Sequence, residues 1–154
     1  MEQKQGLKIL WLDDLRDPNK YFSKKSDTGA FIRNSNYYKN IFSQYNPIFV
    51  WVKNFEEFVD YIKNNGLPDM VSFDHDLGVN MKKGADCAKW LKIYCEQTGQ
   101  KTPKIYAHSA NPNGRREINT LFNLQENKVV KVSKDKLINI IKESILDYIH
   151  GGRI

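Results

Sequence analysis

The sequence predicts an open α/β domain built on a five-stranded parallel sheet with helices on both faces. Three observations lead there. Short apolar runs alternate with longer segments of helical periodicity, in the order βαβαβαβαβα. The apolar runs are nearly continuous, as expected of strands buried on both faces. Three of them end in acids or histidines. Lys8–Leu12 runs into Asp13, Asp14, Leu15 and Arg16. Met70–Phe73 runs into Asp74, His75, Asp76, Leu77 and Gly78. Lys104–Ala107 runs into His108, Ser109, Ala110, Asn111 and Pro112. In an open parallel sheet the carboxyl ends of the strands share one edge, and ligands bind there.

Each element has its own signal. The first strand is expected at about 7–13. Residues 15–33 are rich in Asn, Ser, Asp, Lys and Gly and read as irregular, with Pro18 as a breaker. Residues 34–45 read as a short helix packed through Tyr37, Tyr38, Ile41, Phe42 and Tyr45, ended by Pro47. Ile48–Val52 is the second strand. Asn54 followed by Glu57 approaches a capping box. The helix it opens runs through Phe58 and Ile62 to the stop Asn64, Asn65, Gly66. The third strand spans 69–74, the next helix 83–98 with Gly99 as its end, and the fourth strand 104–108. A helix at about 113–123 follows Pro112. Lys128–Val132 is the expected fifth strand, and Ser133 caps a last helix to about Ile149.

Right-handed crossovers and short connections favour the flavodoxin-like strand order 2-1-3-4-5. Its switch point lies between the first and third strands, which carry Asp13, Asp14, Asp74 and Asp76. The whole of 1–154 reads as one domain, with an enlarged connection at about 15–47 between the first two strands.

Composition narrows the class. The 154 residues are 40% hydrophobic and 27% charged, which excludes a disordered chain. No apolar run approaches the roughly 20 residues of a membrane span, and the polar N-terminus lacks a signal-peptide core. A cytoplasmic location without membrane contact is expected. Cys87 and Cys95 fall eight apart in one expected helix, about 12 Å along its axis, too far to pair. They read as buried thiols, and no zinc-site spacing occurs. The net charge is +6. It reads either as a solvated lysine surface or as an attraction for a phosphate-bearing ligand.

Three motifs carry a resemblance that covers nearly the whole chain. An acidic pair after strand one (Asp13, Asp14), an aspartate ending strand three (Asp74), Ser109 after strand four and Lys131 at the end of strand five resemble a response-regulator receiver domain. The stretches Leu12–Pro18, Phe73–Gly78 and His108–Gly114 resemble more closely a divergent branch, the cyclic-phosphate processing receiver domain. That resemblance implies processing of cyclic phosphate ends or nucleotides, often in a nucleic-acid repair setting. Departures from an ordinary receiver stand out. His75 and Asp76 follow Asp74 directly, His108 precedes Ser109, and the 15–47 connection is enlarged.

The residues divide by chemistry. Asp13, Asp14, Asp74 and Asp76 are candidate ligands of a divalent ion, Mg²⁺ or Mn²⁺, because hard oxygen donors suit both. The competing reading for each is a cap or loop residue. His75, His108 and Asp74 are candidate catalytic groups, the two histidines as an acid and base pair. As plain hydrogen-bonding loop histidines they would do no chemistry. Arg16, Arg115 and Lys131 are candidates to hold phosphate, with Ser109 and Asn111 as donors to its oxygens. Ion pairing with the acids, and capping beside Pro112, are the alternatives. The reaction this suggests is metal-assisted opening of a cyclic phosphate, on a 2′,3′-cyclic RNA end or a cyclic nucleotide. The alternatives are a stand-alone receiver phosphorylated on Asp74, or a non-catalytic nucleotide or phosphate binder. Trp11, Trp51 and Trp90 read as core. Tyr21, Phe22, Phe31, Tyr37 and Tyr38 either pack the long connection or line a nucleobase pocket.

Overall fold

The computed structural model describes residues 3–23 and 36–124, and beyond them positions 135, 138, 139, 141–143 and 145, which are helical. The described elements are β1 (Gln5–Leu12), α1 (Pro18–Ser23), α2 (Asn36–Gln44), β2 (Tyr45–Val52), α3 (Phe55–Asn65), β3 (Met70–Phe73), α4 (Gly84–Thr98), β4 (Lys104–Ala107) and α5 (Pro112–Leu121). The strands form a parallel sheet in the order β2-β1-β3-β4, four strands among the described residues. This matches the first four positions of the expected order. The expected fifth strand at 128–132, with Lys131, and the Ser133 cap lie outside the described residues, as does Phe31.

Alternation along the strands builds two cores. Leu10 and Leu12 of β1 and Val71 and Phe73 of β3 face α3, α4 and α5. They pack with Phe58, Ile62, Leu91 and Ile118, all fully buried. Leu7, Ile9 and Trp11, with Met70, point to the other face and meet Tyr21 of α1 and Tyr38 and Ile41 of α2. The described aromatic residues of the long connection, Tyr21, Phe22, Tyr37 and Tyr38, therefore pack a core. Burying a side chain such as Phe58 or Ile62 contributes about 1.5–3 kcal/mol.

Two expectations need correction. The second strand begins at Tyr45, three residues earlier than its apolar run, and passes through Pro47. β2 is an edge strand, so a proline without an N–H leaves no ladder bond unmade there. Residues 15–33 are not wholly irregular: Pro18 is the first residue of α1, where its missing N–H costs nothing. Elsewhere the local chemistry acts as expected. The Asn54 side chain accepts from the Glu57 amide at 2.9 Å, and Glu57 accepts in return from the amide of Lys53. Gly66, at φ +83°, and Gly99, at φ +66°, end their helices in backbone regions that favour glycine. Both cysteines are buried and unbridged. Among the described residues, no helix is long and apolar enough to cross a membrane.

Candidate active site at the carboxyl edge of the sheet

The parallel ladder continues one residue past the strands and sets the site. The amide of Asp13 donates to Val52 O, that of Asp74 to Leu12 O, and that of His108 to Phe73 O, at 3.0, 2.8 and 2.8 Å. Asp13, Asp74 and His108 thus stand side by side at the ends of β1, β3 and β4. Two indoles pin the loop after β1: Trp51 Nε1 donates to Asp13 O at 2.7 Å, and Trp11 Nε1 to Arg16 O at 3.0 Å.

Asp13 is fully buried, and both of its carboxylate oxygens are hydrogen-bonded. Its Oδ1 accepts from the amides of Leu15 and Arg16 at 3.0 and 2.9 Å. Its Oδ2 lies 3.1 Å from His108 Nε2 and 3.0 Å from Arg16 Nε. Burial pushes its carboxyl up, but the bonds from His108, Leu15 and Arg16 outweigh burial and leave it below the ordinary value. Asp74 goes the other way. Burial, then the charge of Asp13, raise it from 3.8 to about 6, against the opposing pull of Arg16, whose Nη2 is 3.6 Å away. Asp14 adds to the same rise and is only partly buried.

His108 is buried on the second-core side. Its ring stacks on the Trp11 indole, with centroids 3.9 Å apart and planes at 9°. Nδ1 lies 2.8 Å from Ser72 Oγ, and Ser72 Oγ lies 2.6 Å from the Tyr38 hydroxyl. Burial lowers the ring's pKa below 6.5 despite Asp13, so the neutral imidazole is favoured.

His75 turns toward the other face. Its Nδ1 is 3.2 Å from Asp76 Oδ1 and its Nε2 3.0 Å from Glu117 Oε2 on α5. The ring rests on the start of α5, where a Cβ on Gly114 would come within 2.4 Å of it. The two histidines therefore do not share a cluster: each has its own acidic partners, on opposite sides of the sheet. Asp76 is exposed and serves His75.

The remaining candidates are placed by α5. Asn111 is its cap, with Oδ1 accepting from the amides of Asn113 and Gly114. Ser109 Oγ accepts from the Asn111 amide, and Arg115 Nη1 donates to Ser109 O at 2.8 Å. These side chains shape the loop beside His108. Arg16 is the cation set against the acids.

Asp13, Asp74 and His108 form a cluster with one potential ligand atom from each lying within 4.8 Å of the others. Two buried carboxyls, one of them raised by burial and by the charge of the other, create a demand for a cation, and the donor set fits a divalent ion. An all-oxygen set suits Mg²⁺; with the imidazole included, Mn²⁺ fits better. Ser72, Tyr38 and Trp11 belong to this site, and Glu117 to the surroundings of His75, without any local signal in the sequence. Their roles come from face parity and from contacts between distant segments.

Comparison with known proteins identifies a family. The family model described as "Cyclic-phosphate processing Receiver domain" matches residues 8–124. No curated protein matches significantly. Among solved structures, a fusion described as "Yeast Spc42 Trimeric Coiled-Coil Amino Acids 181-211" joined to another structure is similar at TM-score 0.45 and 17% identity. It covers 94% of this chain and 78% of that one. The N-terminal domain of a response regulator/sensory box/GGDEF 3-domain protein from Carboxydothermus hydrogenoformans is similar at TM-score 0.40 and 17% identity, covering 95% and 99%. The family match, which takes in all three motifs and four strands, carries the assignment: this chain belongs to the cyclic-phosphate processing receiver domain family.

Proposed function

We propose that the chain is a metal-assisted phosphoesterase that opens a cyclic phosphate, on a 2′,3′-cyclic RNA end or a cyclic nucleotide. The observation that carries this reading is the buried Asp13–Asp74–His108 cluster with Arg16 against it. In the reaction a water oxygen bonds to phosphorus and one ring P–O bond breaks. The freed ribose oxygen takes a proton, leaving a phosphomonoester.

The residues divide this work. Arg16 holds a phosphate oxygen through its guanidinium, which already lies over the acids. Asp74, with its carboxyl near 6, and His108 are the groups that take up and return protons near neutral pH. Asp13 holds the His108 ring by its Nε2. A divalent ion, when bound, would supply charge neutralisation and polarise the phosphate; Asp13 and Asp74, with Asp14 beside them, are the residues that would hold it, and His108 stands next to them as the proton-handling group. His75, clamped by Asp76 and Glu117, fixes the loop after β3 against α5.

The test is turnover of 2′,3′-cyclic and 3′,5′-cyclic nucleotides and of cyclic-phosphate-ended RNA, with Mg²⁺, Mn²⁺ or chelator. Asp74→Asn and His108→Ala should each lower the rate by roughly 10²–10⁴-fold. Unchanged rates in both variants would remove the mechanism. Acyl-phosphate formation at Asp74 without turnover would favour a signalling receiver, and affinity without either would favour a binding module.

A further inference from the structure

We propose that Ser72 and Tyr38 are positioning residues for His108: their hydroxyls form a one-way hydrogen-bond chain that holds the imidazole as its Nε2–H tautomer, aimed at Asp13. The inference rests on the reading above, in which His108 handles protons at this edge.

The chain runs Tyr38 Oη, Ser72 Oγ, His108 Nδ1 at 2.6 and 2.8 Å, then His108 Nε2 to Asp13 Oδ2 at 3.1 Å. All four residues are buried. Its direction follows from counting hydrogens. Asp13, bonded by two amides and a guanidinium, is a carboxylate and only accepts. The proton facing it sits on Nε2. Of the two imidazole tautomers only this one avoids setting a nitrogen lone pair against the carboxylate; it leaves the lone pair on Nδ1, where the Ser72 hydroxyl can donate to it. A hydroxyl has one hydrogen, so Ser72 must accept from Tyr38. Each link is satisfied in one direction only, and a buried network satisfied throughout is rigid. The Trp11 indole, stacked at 3.9 Å, blocks tilting of the ring.

The sequence origins give the arrangement its interest. Ser72 lies on β3 one turn of alternation before Asp74, on the same face. Tyr38 lies on α2, in the enlarged connection. The connection thereby reaches the site through a hydroxyl pair, and its helix helps set the orientation of His108. Partners behind an imidazole commonly govern its tautomer and orientation, and losing them costs roughly 10–100-fold in metal sites.

The experiment is long-range ¹H–¹⁵N correlation of the His108 ring in the full chain, for wild type, Ser72→Ala and Tyr38→Phe. The turnover of a 2′,3′-cyclic nucleotide is measured alongside. Wild type should carry its proton on Nε2. In Ser72→Ala the Nδ1 resonance should move toward that of a nitrogen accepting no hydrogen bond, and kcat should fall roughly tenfold with KM within about twofold. Tyr38→Phe keeps Ser72 and should move the same resonance in the same direction by less; it stands as the test if Ser72→Ala fails to fold. A wild-type proton on Nδ1, or an unmoved Nδ1 resonance in the variants, overturns the chain. A moved resonance with unchanged kcat overturns the positioning role and leaves the phosphoesterase reading intact. Absence of wild-type turnover contradicts that reading instead, and the ring resonances then decide the hydrogen-bond chain alone.

Discussion

Replacing Asp74 by Asn should make the protein more stable at neutral pH while removing its activity. The Asp74 carboxyl is raised from 3.8 to about 6 by burial and by Asp13. At 1.36 kcal/mol per pH unit, that displacement corresponds to about 3 kcal/mol of strain borne by the ionised form. The sign follows from proton binding. Between 3.8 and about 6 the folded state holds more protons than the unfolded state, so stability falls as pH rises through this window. The favourable contribution is fully present below 3.8 and is lost above about 6. Asparagine removes the charge and keeps an oxygen to accept from the His75 amide, now 2.8 Å from Asp74 Oδ1. The assay is thermal unfolding in chelator from pH 3.5 to 7.5. For a chain of this size about 3 kcal/mol is a rise of roughly 6–12 °C at pH 7.5. The gain should vanish toward pH 3.5. With a saturating divalent ion the order should reverse, because only wild type gains the binding free energy. A destabilised Asp74→Asn protein at pH 7.5 in chelator, or a gain independent of pH, would refute the reasoning.

Other outcomes follow from the same contacts. Gly84→Ala would place a Cβ 1.8 Å from the Asp74 carbonyl oxygen, a backbone atom with no room to yield. It should cost about 3 kcal/mol or more in denaturant unfolding and disturb the Asp74 loop. Gly114→Ala would press on the His75 ring and should cost about 1–3 kcal/mol, with the His75 resonances displaced. Asn54→Ala removes the acceptor for the Glu57 amide and should cost about 1 kcal/mol without changing turnover. His108 has its folded pKa lowered by burial, so the unfolded state binds the extra proton. Its contribution is present above about 6.5 and is lost as pH falls below it, a slope that His108→Gln should flatten in pH-dependent unfolding.

Much of the sheet was legible because β3 and the second half of β1 are buried on both faces and so read as apolar runs. The edge strand β2 was the exception. Tyr45, Asn46 and Pro47 pair with β1 because an edge tolerates proline and a polar side, which the apolar run alone does not reveal. α1 was missed because six residues opening on a proline look like a break. The site was legible as far as residue type went: Asp13, Asp74 and His108 end three strands, and parallel topology brings those ends together. What their surroundings do was not legible. Ser72 and Tyr38 reach His108 from 36 and 34 residues before their partners along the chain, through contacts fixed by face parity and helix docking. Glu117 sits on an exposed helical position with nothing local to tie it to His75. That the two histidines have different partners was hidden for the same reason: sequence places both at one edge, while the ring directions depend on what each packs against.

The most direct measurement is ³¹P NMR of a 2′,3′-cyclic nucleotide incubated with the wild-type protein and Mn²⁺ or Mg²⁺, set beside the Asp74→Asn protein. The account predicts that the cyclic phosphate resonance is replaced by that of a phosphomonoester with wild type, and persists with the variant. A cyclic resonance unchanged by wild type across both ions and an RNA end, with an acyl phosphate forming on Asp74 from a small phosphodonor, would contradict it.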